Sequence, residues 1–89
     1  MTYSKSKTET VAKHLRTRFM EGHVEGHEIV VALISMVKAE KIELHEVAPI
    51  LRTVFFDQPQ GIWVALEKAS TLMDDQLIDS ILQEVNEQV

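Results

Sequence analysis

Residues 21–28 read EGHVEGHE, which places His23 and His27 four apart, the spacing that sets two imidazoles on one helical face. Two such nitrogens with a nearby carboxylate can hold zinc or nickel. Glu25 and Glu28 are close in sequence, and His14 and His45 are available to complete a tetrahedral set. The order of residues argues against this use. In HVEGH the glutamate is out of its place in the HExxH zinc motif, and a glycine interrupts the run. Gly26 costs about 1 kcal/mol of helix relative to alanine, so a shared helical face for the pair is not assured. A joint between two helices accounts for the same residues: Gly22 ends one helix, Gly26 opens the next, and Glu25 and Glu28 supply its N-terminal negative charge. His23 and His27 stay on record as metal candidates or as a pH-sensitive contact. The expectation is that no metal or other cofactor resides here.

Catalytic chemistry has less to stand on. Paired carboxylates such as Asp74/Asp75 and Glu43/Glu46 fall at helix starts and on polar faces, where solvated charge is expected. No serine or threonine sits in a pattern with histidine and acid that would make it a nucleophile, and no glycine-rich loop would cradle a phosphate. A chain of 89 residues also has little room for an enclosed substrate pocket, so the protein is expected not to be an enzyme.

The elements that carry these residues follow from hydrophobic periodicity. SKTE at Ser6–Glu9 matches a capping box, after which Val11, Ala12, Leu15 and Phe19 share one face. Residues 1–5 are then expected to be flexible. A second helix contains IVVALISMV (29–37), apolar nearly all round, as expected of a central helix or one with a second buried face at a subunit contact. In LHEVAPILRTVFF the apolar arc runs through Val47, Ile50, Leu51, Val54 and Phe55. Pro49 is tolerable only in the first turn or at a kink, so this third helix should start near His45 or Glu46. DQPQG is a turn. A fourth helix buries Ile62, Leu66, Ala69 and Met73 with Trp63 at the edge, and a fifth carries a stripe of Leu77, Ile78, Ile81, Leu82 and Val85 behind Asp74 and Asp75. No segment alternates with period two. The expected architecture is all-α: one compact domain, residues 1–89, of about five short helices, or four if adjoining segments merge.

Composition narrows the partners. The chain has no cysteine, so disulfides, thiolate metal sites and cysteine nucleophiles are excluded. The N-terminus lacks a signal-peptide core, and no apolar run approaches a bilayer span, so a soluble cytoplasmic protein without a membrane partner is expected. The net charge of −5 is unevenly spread: residues 1–20 carry +4 and residues 21–89 carry −9. Lys5, Lys7, Lys13, His14, Arg16 and Arg18, with Tyr3, could meet phosphates, but they spread around their helix and the rest of the chain repels nucleic acid. Residues 46–69 have a helix–turn–helix rhythm, yet IWVALEKAS offers almost no base-reading side chain. Nucleic acid is therefore not the expected partner. A nucleic-acid-associated regulator using the basic helix, or an acidic protein that blocks a basic surface on its partner, stands as the alternative.

Apolar residues outside the helical arcs give the more positive signal. Met20, Phe56 and Val64 fall off the buried faces, and Val31 and Ile34 lie on the far side of the second helix. Several such residues in one small domain suggest a contact surface. Alternatively, crossing helices bury more faces than one stripe reveals. The basic helix, through Arg16 and Arg18, is expected to dock on acidic surface of the later helices, within the chain or across a dimer. The sequence thus reads as a small non-enzymatic regulator or adaptor acting on another protein or on a second copy of itself. Arg16, Arg18, Met20, Val31, Ile34, Phe56 and Val64 are the candidate contact residues.

Overall fold

The computed structural model describes residues 3–73 and 75–87, with side chains from Thr8 onward. Five α-helices follow one another: α1 (Tyr3–Met20), α2 (Gly26–Lys38), α3 (Val47–Val54), α4 (Gln60–Leu72) and α5 (Gln76–Glu87). A single 3₁₀ turn, Leu44–Glu46, leads into α3, and no strand forms among the described residues. The all-α expectation holds. The expected start of α1 at Ser6 does not, since the helix begins at Tyr3 and nothing in Tyr3–Ser4–Lys5 breaks it. Of the segment expected to be flexible, Met1 and Thr2 lie outside the described residues, as does Asp74.

Helix ends explain the connections. Past α1, Gly22 takes φ 80°, its N–H donates to Phe19 O, and the His23 N–H donates to Arg18 O; these are the paired bonds of a Schellman cap. Past α2 the same pair recurs, Glu40 N–H to Val37 O and Lys41 N–H to Met36 O, but the left-handed position belongs to Glu40 at φ 60°. The starts rhyme as well. Glu25-Gly26-His27-Glu28 opens α2 and Glu43-Leu44-His45-Glu46 opens the 3₁₀ turn. In each, the second glutamate reaches back to accept the first one's N–H, at 2.7 Å and 2.8 Å. Pro49 is the third residue of α3, in the first turn and exposed, where its missing N–H has no helical partner to lose.

α2 packs chiefly on α4 and α1 on α3, while α5 closes the core against α3, α4 and the 3₁₀ turn. α2 is central: Ile29, Val30, Leu33 and Ile34 are buried and Val31, Met36 and Val37 are half-buried against the core. This corrects the reading of its far side as a contact surface. Ile34 is 1% exposed and belongs to the core cluster. Two polar ties fix the helices around it. The Arg16 guanidinium donates to Thr53 O (3.2 Å), Val54 O (3.1 Å) and Asp57 Oδ2 (3.0 Å), which places positive charge at the C-terminal end of α3. Asp75 accepts the Leu77 N–H at 2.9 Å as the start of α5 and pairs with Lys38 in the last turn of α2.

Candidate functional site

The apolar surface of this protein gathers where α3 hands over to α4. Val54 and Phe55 end the buried run, and Phe55 is 4% exposed with its ring in contact with Phe19, centroid to centroid 4.9 Å. The next residue faces the other way, so Phe56 stands 74% exposed. After Pro59, α4 turns Ile62, Ala65, Leu66 and Ala69 inward, which leaves Trp63 at 37%, Val64 at 67% and Leu72 at 61% exposed. Phe56, Trp63 and Val64 gather at this corner, whereas Leu72 stands at the far end of α4.

A depression lies on either side of α4. On one side, Phe56, Pro59, Ile62 and Trp63 rim a hollow of about 400 Å³ with Phe55 and Val85. Arg52 supplies its charge: Nη2 donates to Val85 O at 3.1 Å, in the last turn of α5, and the buried Nε has no acceptor among the described residues. The Trp63 Nε1–H donates to Asn86 Oδ1 at 3.0 Å, which orients the indole along the rim. On the other side, Gly26, Phe55, Gly61, Val64 and Ala65 line a broader cleft of about 630 Å³, with Phe19 at its end and Glu25, His27 and Lys68 among its polar residues.

Two glycines create that cleft. A methyl at Gly61 would stand 2.8 Å from Phe55 Cδ1, and one at Gly26 would stand 3.0 Å from Phe55 Cζ. The Phe55 ring is thus held between the first turns of α2 and α4, which can approach it only without side chains. Gly26 is therefore a packing residue as well as the opening of a helix.

The histidine pair takes a different place from a ligand pair. His23 is exposed in the turn after α1, 3.4 Å from Glu21 Oε1, whereas His27 is the second residue of α2. They share no helical face, and no group of three His, Asp or Glu side chains is placed to hold a metal ion among the described residues. His27 instead borders the cleft.

The other candidates separate likewise. Phe56 and Val64 stand at this corner, and Met20 (61% exposed) borders the adjoining notch over Phe55 and Asp57. Arg18 is exposed on α1, away from it. Arg16 docks within the chain, so its guanidinium is not offered to a partner, and Ile34 belongs to the core. Trp63, Leu72, Pro59 and Arg52 were not among the candidates. Leu72 fails the same arc test that exposes Val64, so its signal was in the sequence. Pro59 and Arg52 carry none, because their role depends on where α5 ends.

The hydrogen bond from Lys38, then that from the Leu77 N–H, holds the Asp75 carboxyl below the usual aspartate range. It lies at the far end of α4, remote from the corner. Among the described residues no helix is long and apolar enough to cross a membrane. No protein-family model, no curated protein and no solved structure matches this chain.

Proposed function

We propose that the protein works without catalysis, as a regulator or adaptor whose α3–α4 corner is its contact surface for another protein molecule. The observation that carries this reading is the exposure of Phe56, in the turn after α3, and of Trp63 and Val64, on α4, beside two apolar depressions. Desolvating such side chains contributes about 1.5–3 kcal/mol each when they are fully covered, and aromatic anchors dominate interface energetics. Helix α4 fixes the backbone of Trp63 and Val64, which limits the ordering cost on binding, while Phe56 sits in the turn between α3 and α4.

The test is a pair of surface variants. Phe56→Ser with Val64→Ser removes apolar contact area without touching the core, and both should keep the wild-type far-UV spectrum. Protein captured by the wild-type chain, including a differently tagged copy of itself, should be lost with the double variant. Equal capture by both would refute the corner as the contact surface.

A further inference from the structure

The two sides of α4 are complementary to each other, and we infer that the corner receives a second copy of this chain, related by a two-fold axis running parallel to α4. The inference rests on the contact-surface reading above and names its partner. With about 100° of turn per residue, Gln60, Val64 and Thr71 form the midline of the helix's solvent face. Glu67 and Lys68, both exposed, lie at one level on opposite sides of that midline. Trp63 is on the Glu67 side, where the smaller hollow also brings Phe56. The broad cleft over Phe55 and Gly61 opens on the Lys68 side.

A two-fold axis along the helix carries each side of one copy onto the opposite side of the other at the same height. Glu67 of each copy then faces Lys68 of the other, twice over, as flanking charges do in parallel helix pairs. At the level of residue 63, the aromatic side of each copy meets the cleft of the other. Val64 meets Val64 on the axis, and Thr71, small and uncharged, lets the helices approach. The glycine-floored cleft thereby gains an occupant, and the exposed aromatics gain a cover. A partner with acidic or basic charge alone would match only half of this surface.

Sedimentation equilibrium from roughly 1 µM to 1 mM protein reads the association directly. The wild type should dimerise. Glu67→Lys and Lys68→Glu should each weaken the dimer about tenfold, since each creates two like-charge contacts in place of two attractive ones. The Glu67→Lys/Lys68→Glu double variant should recover wild-type affinity. Both residues are exposed, so folding is preserved, and far-UV circular dichroism verifies it. Trp63 is the only tryptophan, so its emission should also shift to the blue with rising concentration in the wild type. A chain that stays monomeric over the whole range overturns the inference. So does a dimer indifferent to the single reversals, or a double variant as weak as they are. If the chain is monomeric yet Phe56→Ser/Val64→Ser abolishes capture of a different protein, the second copy is refuted while the contact surface stands.

Discussion

At the scale of single residues, backbone sign and missing side chains decide more than charge does. Gly22 and Glu40 occupy the same left-handed position at the ends of two successive helices, and only Gly22 suits it. Glu40→Gly should stabilise the fold by about 1 kcal/mol, and Gly22→Ala should destabilise it by about as much; urea midpoints at constant m-value measure both. Gly61→Ala should cost about 1–3 kcal/mol because the added methyl meets the side of the confined Phe55 ring at 2.8 Å. Gly26→Ala should cost less, since its contacts are looser, 3.0 Å to the tip of the ring and 3.3 Å to Ala65 Cβ. Thermal or urea unfolding of the two variants side by side gives their order. The sequence announced Gly26 as part of a joint and Gly61 as part of a turn. That both line a cleft was not legible, because Phe55 approaches them from the end of another helix.

At the scale of elements, polar ties at helix ends hold the bundle in register. Asp75 joins the last turn of α2 to the first of α5, with each partner at the end of a helix that favours its charge. Its carboxyl is held below the ordinary aspartate value of 3.8, so the stability it contributes is fully present above that pH and is lost as pH falls through its lower folded value. Asp75→Asn should therefore be less stable than wild type at neutral pH, with the gap closing as pH drops below about 3.8. Urea titrations across that acid range measure it, and a gap that widened instead would contradict the assignment. Helix existence and faces were legible because period 3.6 is strong in α3 and α5, where Val47, Ile50, Leu51 and Ile78, Ile81, Val85 are all buried. The far side of α2 was not, because a run apolar on every side has no stripe to read. Ile34→Ala should accordingly cost about 2–5 kcal/mol in urea unfolding, as a core truncation does.

At the scale of the molecule, Arg16 gives part of the charge polarity of the sequence an internal use. The basic α1 lies on α3, and Arg16 covers the carbonyls that end that helix while pairing with Asp57. Since that ion pair is half in solvent, it contributes modestly and weakens with salt. With the first helix docked, what the molecule presents is the α3–α4 corner. Phe56 and Val64 were legible there as apolar residues off their arcs, whereas Trp63 and the cleft needed the packing of α2, α4 and α5. The central claim is that this corner is where the protein meets its partner. Capture from the native host with the wild type beside Phe56→Ser/Val64→Ser tests it most directly. The account predicts a bound protein, another or the same, that the folded double variant fails to retain; an unchanged set of bound proteins would contradict it.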